Sequence, residues 1–515
     1  EGVCYNIFMK KLWRVLTGRL MVVIPLILLQ LGFFVILFYG SATYGTAMPV
    51  LDILALIIAI YIINRRNDPS YKIGWLLLVL AAPVIGVPLY LITGNRKVPK
   101  KLHHGTVRAT RSLSDLITAD ESILDDIHNE DAKQIFRYGI RGGGFPVYKN
   151  TTSTYFKSGE EWYPVFKEVL SSAKHFIFLE YFIINQGWML DDLVSLLEEK
   201  VKQGVKVVMI YDDFGALDIP IHFDKQLQKR GIETYRFNKI RPSLAALMNN
   251  RDHRKITVVD NRVAFTGGVN ISDEYINRHR RFGYWKDSAI MIEGDAVWSF
   301  TCMFLGMYTY VRGTNDSIDY EQYHLQYEYP ANAKGFYQPY SDTPTDEEPF
   351  ALNVHLNMIQ HAKEYIYIDA PYLILTESMK TALKMAAKNG VDVSILTPHI
   401  PDKKLVFQIT RGHYFDLISN GVKIYEYTPG FNHAKNMVAD DKFGIVGTAN
   451  TDYRSYFLHF ENGVVMYDTD SVYKMKENFL EALAVSQEVK FEDVRDTVWI
   501  VKVFRAVLNV FIPLV

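Results

Sequence analysis

The chain has 515 residues, enough for roughly three domains of ordinary size. Its 56 basic and 57 acidic residues give a formal net charge of −1, so no overall positive field would attract nucleic acid. Cys4 and Cys302 are its only cysteines, which excludes a disulfide framework and a cysteine-rich metal site.

The predicted domains follow from the distribution of apolar and charged residues along the chain. An uncharged stretch lies near the N-terminus, and strands that alternate with amphipathic helices begin near residue 146. The predicted order is a basic lead (1–18), a membrane region (19–94), a linker (95–145), a first α/β repeat (146–312), a connector (313–347), a second α/β repeat (348–490) and a C-terminal amphipathic helix (491–515).

The membrane region is predicted to contain three helices. Residues 20–39 carry no charge over 20 positions, about the length that an α-helix needs to cross the hydrocarbon core, and the run is too long for a signal peptide. Residues 49–63 and 74–93 follow closely, and packing into a protein core is the alternative for both. Pro83 and Pro88 remove helical hydrogen bonds, so the last segment is expected to bend or to re-enter the bilayer.

Clusters of lysine and arginine predict the topology. The basic residues between positions 10 and 19 place the N-terminus in the cytoplasm by the positive-inside rule. The basic clusters at 65–66 and 96–101 favour the cytoplasm as well, and a re-entrant third segment satisfies both. We therefore expect a multi-pass protein of the cytoplasmic membrane whose large C-terminal part lies in the cytoplasm.

The α/β part of the sequence is an internal repeat, with two halves of similar pattern. Strand-like segments of the first half recur in the same order in the second half, and each is rich in β-branched and aromatic residues, as buried parallel strands require. The corresponding pairs are 175–184 with 364–375, 204–216 with 390–402, and 231–238 with 421–430. A duplicated α/β unit of this kind can bring equivalent residues of both halves to one central cleft, related by a pseudo-twofold axis.

Each half carries one copy of a motif in which His, Lys and Asp have fixed spacing. The two copies begin 180 residues apart and consist of His253, Lys255 and Asp260, and of His433, Lys435 and Asp440. The His and Lys of each copy are two residues apart, so their side chains leave the same face of an extended strand. The aspartates complete the predicted catalytic set, although their strand-to-turn position favours a hydrogen-bonded anchor over contact with a substrate.

These residues suit the transfer of a phosphodiester. A neutral imidazole can attack phosphorus and carry it as a phospho-histidine, while a protonated imidazole opposite donates to the leaving alcohol. We expect His253 to be the nucleophile and His433 to be the acid and base. Lys255 and Lys435 would hold the non-bridging oxygens, and this scheme requires no metal ion or other cofactor.

Four further polar residues are assigned to the same site. Asn270 and Asn450 follow the glycine-ended strand of each copy and are predicted to bind the substrate phosphate. Asp287 and Glu461 follow their motifs by 34 and 28 residues and are predicted to orient the histidines through the second ring nitrogen. The alternative for these two is that they are ordinary surface carboxylates.

The duplicated motif resembles the signature of the phospholipase D superfamily. The blocks "NRDHRKITVVDNRVAFTGGVNISDEY", "YWKDSAI" and "HAKNMVADDKFGIVGTANTDYRS" resemble, more narrowly, those of bacterial cardiolipin synthases, as do a stretch from residue 67 and the final "FIPLV". This resemblance covers nearly the whole chain. It implies an α/β fold with two tandem phospholipase D-like repeats in one pseudo-twofold catalytic body, preceded by membrane helices.

The resemblance implies a transesterification at a bacterial cell membrane. One phosphatidylglycerol would give its phosphatidyl group to a motif histidine and release glycerol, and a second would attack through its glycerol hydroxyl to give cardiolipin. Three departures from the family pattern stand out. Gly268 lies where the second copy has Thr448, whose hydroxyl is expected to bind the phosphate, so phosphate contacts are expected to be asymmetric. His459 replaces an expected Asn, and "YSDTP" at 340–344 replaces Ser-Gly-Pro.

Other functions remain open at this point. The same site could use water or serine as acceptor, which would make the protein a membrane phospholipase D or a phosphatidylserine synthase. A nuclease is disfavoured by the near-neutral charge, and a non-enzymatic scaffold has no need of paired motifs. The expected partners are phosphatidylglycerol, cardiolipin and the lipid bilayer, without nucleic acid, and a homo-oligomer is open. The helix at 491–515 fits a membrane interface and a protein core equally well.

Overall fold

The computed structural model describes residues 48–65, 68–94, 98–113, 116–240, 250–313, 318–328 and 333–511. They form two compact units. The larger unit, Lys101–Phe237 with Arg251–Thr497, contains every predicted site residue, and the smaller comprises the described parts of Glu1–Lys100, Asn238–Asn250 and Val498–Val515. The basic lead, the predicted helix at 20–39 and the last four residues lie outside the described residues.

The helices and strands are numbered here in chain order. The helices are α1 (Met48–Ile63), α2 (Pro69–Ala81), α3 (Pro83–Thr93), α4 (Lys100–Arg111), α5 (Glu130–Gly143), α6 (Gly159–Ser171), α7 (Trp188–Lys202), α8 (Phe223–Lys229), α9 (Val297–Arg312), α10 (Phe350–His361), α11 (Glu377–Lys388), α12 (Lys404–Ile418), α13 (Tyr453–Phe457), α14 (Asp470–Ala484), α15 (Phe491–Arg495) and α16 (Trp499–Phe511). The strands are β1 (Thr151–Phe156), β2 (Phe176–Tyr181), β3 (Lys206–Asp212), β4 (Glu233–Phe237), β5 (Ile256–Val259), β6 (Val263–Gly267), β7 (Tyr284–Lys286), β8 (Ala289–Gly294), β9 (Phe336–Asp342), β10 (Tyr365–Asp369), β11 (Asp392–Pro398), β12 (Lys423–Tyr427), β13 (Gly430–Asn432), β14 (Asn436–Ala439), β15 (Phe443–Gly447), β16 (Glu461–Tyr467) and β17 (Gln487–Glu488).

The prediction of membrane-spanning helices at 49–63 and 74–93 is not confirmed. Helix α1 has 16 residues, and the 74–93 segment is divided between α2, with 13 residues, and α3, with 11. The predicted bend is present at Ala82, because Pro83 cannot donate the hydrogen bond that would continue α2 and disfavours helical geometry in the residue before it. Within the described ranges, no helix combines the length and the apolar character that a bilayer crossing needs.

The smaller unit combines a small core with a large exposed apolar surface. Trp75 packs between Tyr71 and Tyr90, with ring centroids 6.3 and 5.2 Å apart, and Val79 is fully buried beside them. Helix α16 packs against α2. Large apolar side chains nevertheless remain exposed on these helices, among them Ile53, Leu56, Ile57, Ile60, Leu77, Leu80, Leu91, Trp499, Ile500, Val503 and Phe504. Several exposed apolar side chains on neighbouring helices are typical of an interaction surface.

The larger unit contains two mixed β-sheets whose strands follow the same arrangement. Their strand orders are β1-β8-β6-β5-β2-β3-β4 and β9-β16-β15-β14-β10-β11-β12-β17. In each sheet three consecutive parallel strands (β2 to β4, and β10 to β12) form one half, which confirms the predicted repeat of buried parallel strands. The motif hairpins add antiparallel strands to them. The second sheet also uses β9 as an edge strand, from residues that the sequence assigns to the connector.

Backbone hydrogen bonds join the two repeats at the motif histidines and at the residues just before His433 in sequence. Strand β13 ends one residue before His433 and pairs in parallel with β7 of the first repeat. The amide of His433 donates to the carbonyl of Lys286 at 2.7 Å, and the amide of His253 donates to the carbonyl of Phe460 at 2.9 Å. Because Lys286 and Phe460 directly precede Asp287 and Glu461 in sequence, the backbone brings each histidine to the acidic residue of the other repeat.

Candidate active site

Each motif strand ends in a hairpin turn that contains the motif aspartate, and this aspartate accepts hydrogen bonds from backbone amides. Asp260 and Asp440 have φ values of 54° and 53°, in the left-handed region that Asp and Asn tolerate in tight turns. The Asp260 carboxylate accepts the amides of Lys174, His175 and Phe176 at 2.7 to 2.8 Å, and the Asp440 carboxylate accepts those of Lys363, Glu364 and Tyr365 at 2.8 to 3.0 Å. Their oxygens tie each hairpin to the start of β2 or β10. These two aspartates therefore anchor the hairpins, as their turn position predicts, and a part in the reaction stays a prediction for both.

We expect Asp260→Ala to destabilise the protein without removing the chemistry. Hydrogen bonds to a charged group contribute about 1.5–3 kcal/mol each and are not additive, so losing three should lower the free energy of unfolding by about 2–4 kcal/mol. The measurement is the midpoint of thermal unfolding, with the exposed Asp218→Ala as control. An unchanged midpoint together with a lost turnover would show that Asp260 acts in the reaction.

The two motif histidines each contact a carboxylate of the opposite repeat. The Nδ1 atom of His253 lies 2.9 and 3.0 Å from the two carboxylate oxygens of Glu461. The Nδ1 atom of His433 lies 2.6 Å from Oδ2 of Asp287. In the sequence, Asp287 follows the motif of His253 and Glu461 follows the motif of His433. In the structure, each carboxylate contacts the histidine of the other repeat. An imidazole that donates its Nδ1 proton to a carboxylate keeps the Nε2 lone pair for chemistry.

The two motif lysines lie in the field of both carboxylates. Burial lowers the pKa of Lys255 to about 7, with Glu461 and Asp287 acting in the opposite direction and Lys435 in the same one. Burial lowers the pKa of Lys435 to about 8, again opposed by Asp287 and Glu461. Each ammonium group donates to the backbone carbonyl of its own motif histidine, over 2.6 Å for Lys255. The two copies of the motif therefore contribute to one electrostatic environment.

Burial also sets the charge of the imidazoles. It lowers the pKa of His253 to about 3 and that of His433 to about 4, although Glu461 and Asp287 favour the protonated form. In the free protein both rings are therefore neutral near pH 7, whereas the sequence-based scheme requires a protonated His433. A bound anionic phosphodiester would raise the pKa of both rings, because it stabilises the imidazolium.

The two orienting carboxylates are held differently in the two repeats. The hydroxyl of Thr448 donates to Oε2 of Glu461 at 2.5 Å and accepts the amide of Asn462 at 3.0 Å. The hydroxyl predicted to bind phosphate is thus engaged by Glu461. At the equivalent place a Cβ on Gly268 would lie 1.9 Å from Oδ1 of Asp287, so glycine makes room for this carboxylate. The structure therefore shows an asymmetry at the two carboxylates, and the asymmetry predicted at the phosphate stays a prediction.

The two predicted carboxamides also have different partners. Asn270 accepts the amide of Ile183 at 3.0 Å and donates to the hydroxyl of Tyr275 at 2.8 Å. The side-chain oxygen of Asn450 is buried and has no hydrogen-bond partner among the residues that the structure describes. The side chain of Asn270 therefore already makes hydrogen bonds within the protein. The side-chain oxygen of Asn450 can still accept a hydrogen bond. Binding of phosphate by either residue stays a prediction.

Aromatic rings that the sequence analysis did not single out surround both histidines. The ring centroid of His433 lies 5.1 Å from that of Trp285 and 5.5 Å from that of Tyr275. The ring of His253 lies 5.0 Å from that of Phe182. These rings keep water away from the imidazoles, which accounts for their lowered pKa values. Aromatic residues make up 14% of the chain, so no sequence signal separates these from the others.

A third imidazole lies beside the His253–Glu461 pair. The ring centroid of His459 is 5.6 Å from that of His253, and its Nδ1 atom is 3.7 Å from Oε1 of Glu461. The residue at the same place in the first repeat, two before the carboxylate, is Trp285, whose indole nitrogen donates to Asp287 at 3.4 Å. In the sequence, His459 is distinguished only as a departure from the family pattern, and no role follows for it from there.

Comparison with protein-family models matches the two α/β repeats and part of the smaller unit. A family described as "Cardiolipin synthase, PLD-like domain" matches residues 166–292 and 355–483, and each of these stretches contains one motif. A family described as "Phospholipase_D-nuclease N-terminal" matches residues 50–95.

Several proteins resemble the chain over most of its length. The cardiolipin synthase of Geobacillus kaustophilus is 32% identical over 484 residues, which cover 93% of this chain and 95% of that protein. The cardiolipin synthase of Halalkalibacterium halodurans is 30% identical over 512 residues, covering 96% and 99%. An uncharacterized protein of Streptococcus mutans is 43% identical over 435 residues, covering 84% and 93%.

A solved structure has the same fold. The crystal structure of phosphatidylserine synthase from Haemophilus influenzae superposes with a TM-score of 0.55 and covers 75% of this chain and 100% of that one. The sequence identity is 13%, so this likeness concerns the fold alone.

Proposed function

Because the chain belongs to the cardiolipin synthase family of phospholipase D-like proteins, we propose that it joins two molecules of phosphatidylglycerol into cardiolipin and releases glycerol. The chain is then a phosphatidyltransferase. One observation carries the chemical part of this proposal: each motif histidine is paired with a buried carboxylate of the other repeat, beside two buried lysines.

The first half of the proposed reaction forms a covalent intermediate. Nε2 of His253 attacks the phosphorus of phosphatidylglycerol, and the bond from phosphorus to the glycerol oxygen breaks. The departing oxygen takes a proton from His433, whose pKa is raised by the anionic substrate, and glycerol leaves. The phosphatidyl group remains on His253.

The second half transfers the phosphatidyl group to a lipid alcohol. His433 removes the proton from the glycerol hydroxyl of a second phosphatidylglycerol, whose oxygen then attacks phosphorus. The bond between phosphorus and Nε2 breaks, which restores His253 and releases cardiolipin. Throughout, Lys255 and Lys435 compensate the charge on the non-bridging oxygens, and Glu461 and Asp287 keep the Nδ1 proton of each imidazole in place.

The surface of the smaller unit supports a lipid substrate. Its helices α1 to α3 and α16 expose large apolar side chains, including Ile57 and Trp499 at 58% and 71%. A bilayer would cover such side chains and place the enzyme next to its substrates. We propose that this unit attaches the enzyme to a membrane.

The proposal is tested by supplying phosphatidylglycerol as the only lipid. The purified full-length protein in mixed micelles should form cardiolipin and glycerol in equal amounts, and His253→Ala should form neither. Phosphatidic acid without cardiolipin would identify water as the acceptor, and would contradict the proposal. So would phosphatidylserine as the main product when serine is added.

A further inference from the structure

We propose that His253, His459 and Glu461 form a binding site for a transition-metal ion of the Zn²⁺ type, and that an ion bound there inhibits the enzyme. The inhibition rests on the function proposed above, whereas the binding of the ion does not. The ion has no part in the transfer itself.

The three side chains have the spacing that such an ion needs. Their donor atoms all lie within 4.8 Å of one another, and all three residues are largely buried. Nδ1 of His253 is 2.9 Å from Glu461 Oε2, and Nδ1 of His459 is 3.7 Å from Glu461 Oε1. Ligand atoms about 2 Å from a tetrahedral Zn²⁺ lie roughly 3.3 Å apart. Small rotations of two imidazoles would therefore complete three of the four positions, leaving the fourth for water.

The unused nitrogen of His459 points to a ligand. Its Nδ1 atom is buried and makes no hydrogen bond to any residue in the described parts of the chain. At 3.7 Å the contact with Glu461 is too long for a hydrogen bond. Since buried polar atoms are normally satisfied, an unpaired imidazole nitrogen directed at a carboxylate and a second imidazole is the arrangement expected of a metal site.

The other half of the molecule provides an internal comparison. Asp287 and His433 make the same pair as Glu461 and His253, but the ring two residues before Asp287 is that of Trp285. An indole nitrogen carries a proton and has no lone pair to offer a metal. Among the residues that the structure describes, the second pair therefore has only two ligands, and we predict a single ion per chain.

Metal binding would remove the lone pair that the reaction uses. When the ion takes the lone pair of Nδ1 in His253, the single proton of the neutral ring moves from Nδ1 to Nε2 by exchange with solvent. Nε2 then has no lone pair with which to attack phosphorus. Glu461, coordinated to the ion, no longer accepts a hydrogen bond from His253. Both effects stop the first half of the reaction.

The test measures ion binding and inhibition separately on the full-length protein. Competition with a chromophoric chelator should give one Zn²⁺ per chain, and Co²⁺ in its place should give the visible absorption of a tetrahedral complex. Zn²⁺ should inhibit cardiolipin formation, and a chelator should restore the rate. His459→Asn should weaken Zn²⁺ binding at least about tenfold, with the same shift in the inhibitory concentration relative to the variant's own zinc-free rate.

Two further variants make the outcome decisive. His459→Gln, which is closer in size to histidine, repeats the test if the Asn variant does not fold. His399→Asn removes another histidine that contacts a glutamate, Glu426, and should leave Zn²⁺ binding unchanged. Zn²⁺ binding of equal strength in the wild type and both His459 variants would overturn the proposal, and so would absence of binding. Binding that depends on His459 in a protein without synthase activity would refute only the proposed function.

Discussion

His253→Ala and His433→Ala are each expected to lower the rate of cardiolipin formation by roughly 10⁴-fold or more. The first variant has no atom to carry the phosphatidyl group, and the second has no group to protonate the leaving oxygen. Because both residues act on one substrate, the double variant should be no slower than the slower single variant. The measurement is the initial rate of cardiolipin formation by purified protein.

The same experiment separates one shared site from two independent sites. If each repeat held a complete site, each single variant would keep about half of the activity. His399→Ala is the matched control, since this histidine also contacts a glutamate, Glu426, but is partly exposed and makes no contact with either motif carboxylate among the described hydrogen bonds. Thermal unfolding midpoints close to that of the wild type would show that the loss is chemical. A variant that folds and keeps substantial synthesis would contradict the shared site.

Glu461→Gln and Asp287→Asn are expected to have the next largest effects, with losses in kcat of roughly 10³–10⁴-fold and small changes in KM. Either amide can turn its NH₂ group toward Nδ1, and the imidazole then carries its proton on Nε2, the wrong tautomer for attack or proton transfer. Glu461 and Asp287 contact Nδ1 of the histidines, and we expect them to act by positioning these rings. Glu293→Gln, at a partly exposed carboxylate, should leave kcat unchanged.

The pairing across the repeats gives this prediction a structural readout. In protein with ¹⁵N-labelled histidine, Glu461→Gln should abolish the hydrogen-bonded Nδ1–H signal of His253 and leave that of His433. Asp287→Asn should do the reverse. Loss of the signal from the histidine of the same repeat would contradict the crossed arrangement.

The sequence revealed the duplicated fold because both halves repeat the same strand pattern. It also identified the motif residues, whose types suit phosphoryl transfer. It did not reveal which carboxylate pairs with which histidine, because sequence spacing carries no information on contacts between repeats. Those contacts come from the pairing of β7 with β13 and from the bond between His253 and Phe460.

Other differences have local physical causes. Thr448 was expected to bind the phosphate, and in the structure its hydroxyl donates to Glu461, a buried carboxylate that requires hydrogen-bond donors. Binding of phosphate by Thr448 stays a prediction. Asp260 was recognised as a turn residue, but its three amide partners lie about 85 positions away and could not be identified from the sequence. The segment 74–93 has the length of a membrane helix but is divided into two short helices, and the break lies at Ala82, where Pro83 predicts a bend.

A structure of the protein with bound vanadate tests the central claim most directly, because vanadate adopts the five-coordinate geometry of phosphorus during transfer. We predict one vanadate per chain, with Nε2 of His253 and Nε2 of His433 on opposite sides of the vanadium and Lys255 and Lys435 at its equatorial oxygens. Two vanadate ions in separate pockets, each contacting one histidine, would contradict the account.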